Sequence, residues 1–153
     1  MKKYVSLLTA MAILLSLCAC GSVGAEKEYD PASTASALLD SGAFSETLEP
    51  LDADLVAPLY GLDTQPTDSA VYTSTGATTE EIAVLKFGDK KAADAALEVL
   101  KNRVSDQKDA CQGYLPKELP KLDKAIVKES GNSVLLVVAA DMDKAQSALD
   151  GLA

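Results

Sequence analysis

Ser133–Asp141 reads SVLLVVAAD. Val134, Leu136 and Val138 point one way from an extended chain, and Leu135 and Val137 point the other. Apolar residues on both faces describe a central strand covered on two sides. Asp141 then caps a last helix running to Leu152. The same arrangement occurs earlier in the chain. Glu80–Phe87 (EEIAVLKF) is strand-like, and Gly88-Asp89 opens a long helix over roughly Lys90 to Asp109. Ile82 matches Val134, Val84 matches Leu136, Asp89 matches Asp141, Ala93 matches Ala145 and Leu97 matches Leu149 in one register.

Each of these strands has a partner just before it. Ala70–Ser74 (AVYTS) is rich in β-branched and aromatic residues, and Lys124–Glu129 (KAIVKE) leads into a turn at Ser130-Gly131-Asn132. The order is therefore ββα followed by ββα. Two hairpins, each followed by a helix, predict an α+β fold: a four-stranded antiparallel sheet with the helices on one face. On the long helix, Ala93, Leu97, Leu100, Val104 and Cys111 fall within about 60° of one another, a buried stripe. Between helix and hairpin, GYLPKELPKLD (Gly113–Asp123) carries Pro116 and Pro120, which argue against regular helix there.

The N-terminal part of the domain predicts two short helices. In PASTASALLDSG, Ser33 or Thr34 is the expected cap, the helix reaches Leu39, and Gly42 lies beyond it. In LDADLVAPLYGLD, Pro58 limits regularity and Gly61 is a natural residue to end on. Leu38, Leu39, Leu51, Leu55 and Leu59 are available to cover the second sheet face. If they do not, an apolar surface is left for a partner.

The first residues are of another kind. Lys2 and Lys3 precede an apolar, uncharged run, Leu7–Leu17, and small residues follow. This is the layout of a secretory signal peptide, and it is short for a membrane span. LCAC (Leu17–Cys20) resembles the bacterial lipobox. Cys20 is the predicted lipidated residue, Cys18 leaves with residues 1–19, and residues 20–30 form a short tether to a single domain over 31–153. Two acyl chains on one thiol anchor stably. The expected location is the extracytoplasmic side of the cell membrane.

Without Lys2 and Lys3 the chain keeps 12 basic residues against 23 acidic ones, a net charge of −11. Such a surface repels nucleic acid and anionic lipid headgroups. Histidine is absent, which removes the commonest general base and metal ligand. Asp52-x-Asp54 and Asp141-x-Asp143 lack the other ligands and the glycine of a calcium loop. No metal or cofactor is expected. Cys111, alone once Cys20 is lipidated, has no histidine to activate it and reads as a small core residue. Glu80 and Glu81 point to opposite faces of a strand and read as its solvated start. The remaining candidates are Tyr60, Tyr72, Ser74, Thr75, Gly76 and Tyr114. Ser74, Thr75 and Gly76 belong to a hydroxyl-rich connection that is either a small recognition loop or a turn satisfying its own backbone.

LYGLD (59–63), VYTSTGATTEEIAVLKF (71–87) and YLPKELPKLDKAIVKESGNSVLLVVAAD (114–141) together resemble a family of bacterial lipoproteins described as domain of unknown function 4358. The resemblance covers about Leu48 to Leu149. Tyr60, Gly61, Tyr72, Ser74, Gly76, Ala77, Glu80, Glu81, Tyr114 and Pro116 stand at positions that look like the family's pattern. It implies a surface lipoprotein with no assigned activity. The expected function is a non-enzymatic module that binds a protein or envelope component. The alternatives are a small-ligand or solute-binding lipoprotein, and a hydrolase using serine with lysine.

Overall fold

The computed structural model describes residues 27–152. The expected signal peptide, Cys20 and the tether up to residue 26 lie outside them. The helices are α1 (Pro31–Asp40), α2 (Ala53–Tyr60), α3 (Lys90–Tyr114), α4 (Leu119–Asp123) and α5 (Met142–Asp150). The strands are β1 (Glu49–Pro50), β2 (Asp68–Thr73), β3 (Glu81–Lys86), β4 (Ile126–Ser130) and β5 (Ser133–Val138). They form one sheet in the order β1-β2-β3-β5-β4, with every neighbouring pair antiparallel.

The architecture is α+β as expected, but the sheet has five strands rather than four. The extra one, β1, is two residues long and pairs Glu49 with Thr73 and Pro50 with Tyr72. Proline suits an edge position, where no ladder N–H is needed, and two residues leave no periodicity to read.

The second correction concerns the helices. α3 and α5 lie on opposite faces of the sheet, not on the same one. Ala83, Leu85, Val134, Leu136 and Val138 join α2, α3 and α4 in one core cluster. Ile82, Val84, Leu135 and Val137 join α1 and α5 in a second. The reason is in the strands themselves. All six residues of β5 are buried, so each face demands a cover. Two helices on one side would leave the other face wet.

Local signals explain most boundaries. Asp89 and Asp141 cap α3 and α5, accepting from Ala92 N at 2.9 Å and Lys144 N at 3.1 Å. α1 is capped by Asp30, which accepts from Ser33 N at 2.9 Å, with Pro31 in the first turn. Ser33 and Thr34, the expected caps, are inside the helix. Gly61 ends α2 in the left-handed conformation, φ 69°. α3 runs past Asp109 to Tyr114, carrying its stripe on to buried Cys111. The proline-containing segment is helical after all: Pro116–Glu118 is a 3-10 turn and α4 follows it. Pro116 and Pro120 stand in the first turns, where a missing N–H costs little.

Residues 27–30 are strapped across the β4–β5 turn. Ser130 Oγ donates to Lys27 O at 2.9 Å, and Asn132 N donates to Glu28 Oε1 at 3.0 Å. Tyr29 N donates to Ser133 Oγ at 2.7 Å, and Lys86 pairs with Glu28 at 2.9 Å. Gly131, at φ 58°, lies beneath the Glu28 side chain, and a Cβ there would come within 2.6 Å of Glu28 Cγ.

Candidate functional site

The polar chemistry of the domain gathers at the end of the sheet away from that turn. β3 starts there, and Glu80 and Glu81 are only 1% and 2% exposed. The solvated strand start expected from sequence is therefore overturned. Both carboxylates are buried because each meets partners that replace its water.

Glu81 points toward α2 and α3. The Tyr60 hydroxyl donates to Glu81 Oε1. Arg103 Nε lies 3.1 Å from both carboxylate oxygens. Arg103 also stacks over the Tyr60 ring, 4.7 Å from its centroid. Gln107, one turn on from Arg103 and so on the same side of the helix, reaches Glu81 Oε2 at 3.5 Å. Burial, the Glu81 charge and the hydrogen bond to it together push the Tyr60 phenol well above its ordinary range. The phenol is thus a donor, held neutral.

Glu80 points the other way. It accepts from Ser45 N at 2.9 Å, Ser45 Oγ at 2.5 Å and Lys121 Nζ at 2.9 Å. Lys121 also pairs with Glu118 at 3.0 Å. Glu118 Oε2 accepts from Thr79 N at 2.9 Å and Thr79 Oγ1 at 3.1 Å. Burial opposes the charge of Glu118, but its bonds from Thr79 and Lys121 outweigh that and hold its carboxyl below the ordinary range. Burial likewise works against the Lys121 ammonium, and the two glutamates overcome it and raise its pKa.

These groups clamp the β2–β3 connection, Ser74–Glu80. Ser74 Oγ accepts from Gly76 N at 3.2 Å and Thr78 N at 3.0 Å, and Ser74 N donates to Glu80 O at 3.0 Å. Thr78 Oγ1 donates to Glu46 and accepts from Glu80 N at 3.2 Å. Gly76 has φ 104°, which a residue with a Cβ rarely adopts. Thr75, Gly76 and Ala77 remain exposed at the tip.

Of the other residues singled out by sequence, Tyr60 is buried against Glu81, while Tyr72 packs against the opposite core cluster. Tyr114 is 82% exposed at the end of α3. The structure thus brings Ser74, Thr75 and Gly76 together and spreads the three tyrosines over different parts of the surface and core. Arg103, Gln107, Glu118 and Lys121 were not among the candidates. Arg103 is the chain's only arginine, and arginine suits a buried carboxylate better than lysine does. That was a usable signal.

Between α2 and α3 a cleft of about 410 Å³ is lined by Leu59, Tyr60, Val99, Arg103, Asp106 and Gln107. Gln107 Oε1 is buried without a hydrogen-bond partner. Among the described residues no group of His, Cys, Asp or Glu is placed to hold a metal ion. No helix among them is long and apolar enough to cross a membrane. No curated protein and no solved structure matches the chain. A family model described as Domain of unknown function (DUF4358) matches residues 40–139, which include both buried glutamates and the clamped connection. The chain belongs to the DUF4358 family.

Proposed function

We propose that the protein is a non-enzymatic binding module, anchored at the extracytoplasmic face of the membrane through a lipid on Cys20, and that its contact surface is the tip of the Ser74–Thr79 loop. The observation that carries this reading is the clamp beneath the loop. Glu118 holds the Thr79 N–H and hydroxyl from below, Lys121 ties Glu118 to Glu80 at the start of β3, and Thr75, Gly76 and Ala77 stay exposed above. A loop already held in one shape loses little conformational freedom on binding, which favours a specific partner. The partner class is a protein or another envelope component.

Two measurements test it. Mass spectrometry of the protein from a lipoprotein-processing bacterial host should find a diacylglyceryl group on Cys20, and Cys20→Ala should release the domain from the membrane fraction. A photo-crosslinking residue at Thr75 should recover the same species repeatedly, and Glu118→Ala should weaken that crosslink several-fold. An unmodified Cys20 would remove the anchor. Failure to recover any reproducible species would remove the binding loop.

The α2–α3 cleft is the opening that a small-ligand reading would use, lined by Tyr60, Arg103 and Gln107. The hydrolase reading has less support. Ser45 and Lys121 share the Glu80 carboxylate, but Lys121 is held protonated and cannot serve as a base.

A further inference from the structure

The strap over the β4–β5 turn has a geometric consequence for an anchored chain. β3 pairs Lys86 with Ser133 at the turn end and Glu81 with Val138 at the other. The strap bonds to Ser130, Asn132, Ser133 and Lys86, all at the turn end. The Ser74–Thr79 loop rises from the opposite end, where Thr73 pairs with Glu81. A six-residue strand separates the two by about 20 Å.

Residues 27–30 are therefore part of the folded body, which leaves Cys20–Glu26 as the sequence between it and the lipidated cysteine proposed above. Seven residues reach at most about 25 Å when fully extended. The chain leaves the domain at Lys27, whose ammonium also donates to Leu152 O. A tether this short, fixed at one end of the sheet, restricts how the domain can turn. Among the described residues, two of the carboxylates near the exit are matched by cations, while Asp30 and Asp150 are not. Glu28 pairs with Lys86, and Glu129 with Lys90. An acidic lipid surface would meet less repulsion there than the net charge of the chain implies.

We infer that the strap orients the anchored domain, with the β4–β5 turn facing the bilayer and the Ser74–Thr79 loop facing away from it, toward a partner outside the membrane. This rests on the lipidated Cys20 proposed above. The turn end is then a membrane-facing surface, and the strap is the element that sets it.

The test uses the lipidated chain in vesicles whose headgroups carry a nitroxide quencher. A click-reactive residue is introduced at Thr75 or at Lys91, both exposed and at opposite ends of the sheet, and labelled with a fluorophore. The label at Lys91 should be quenched several-fold more than the label at Thr75. Glu28→Gln combined with Ser130→Ala should shrink that difference while circular dichroism stays unchanged. Equal quenching at the two sites, or stronger quenching at Thr75, overturns the orientation. If mass spectrometry shows Cys20 unmodified, the anchor reading fails separately. The same quenching comparison is then made after coupling the Cys20 thiol to a maleimide lipid, with the same two outcomes.

Discussion

Glu81 is the centre of one of the two buried polar networks at the start of β3. Its carboxylate holds the Tyr60 hydroxyl, the Arg103 guanidinium and the Gln107 amide between two helices. Glu81→Ala would leave Arg103 and the Tyr60 hydroxyl without an acceptor in a nearly dry site, and breaking such a pair costs about 3–5 kcal/mol. Glu81→Gln keeps a hydrogen-bond acceptor and loses only the charge, so it should cost less. Urea unfolding of both variants checks the order, and equal losses would count against the ion pair. Tyr60 was a candidate and the lone Arg103 a usable signal, but the sequence does not join them to Glu81. Two acids before an apolar strand read as a solvated start, because the groups that replace their water come from Arg103 and Lys121, far along the chain. Cys111 was easier, since its place on the helical stripe of α3 already put it inside.

At the level of elements, hydrophobic period carried the reading well. The apolar double face of β5, the stripe of α3 and the paired caps Asp89 and Asp141 all appear in the structure where the pattern put them. What the period does not encode is which face each helix takes, and β1 is too short to have one. The two-faced packing has a direct check. Leu135 packs on the α1–α5 side and Leu136 on the α2–α3 side, both fully buried. Leu135→Ala and Leu136→Ala should each destabilise by about 2–5 kcal/mol in chemical unfolding. A sheet with both helices on one face would give one large loss and one small one. The prolines of the 116–120 segment misled for a related reason. Proline is costly in helix interiors, where α2 nonetheless holds Pro58, and cheap in first turns, and the segment is made of two first turns in succession.

At the scale of the whole molecule, the clamp under the loop ties stability to pH. Glu118 holds its proton more weakly in the folded chain than in the unfolded one. Its contribution is full above the ordinary carboxylate range and is lost as pH falls through its own lower value. Lys121 and Tyr60 hold their protons more tightly when folded. Their contributions are full below their ordinary ranges and are lost as pH rises through their raised values. Thermal melting should therefore be flat from mildly acidic to mildly alkaline pH and fall off on both sides. Lys121→Met should flatten the alkaline fall, and an unchanged curve would separate the clamp from stability. The strand order carries one more consequence, in time rather than in space. A ribosome makes β5 after the other four strands, yet β5 is the strand that sits between β3 and β4. Until residues 133–138 are available, β3 has an unpaired inner edge and each helix lacks half of the floor it rests on. The sheet closes by late insertion of its own centre, so pairing across the sheet waits until residues 133–138 have been made.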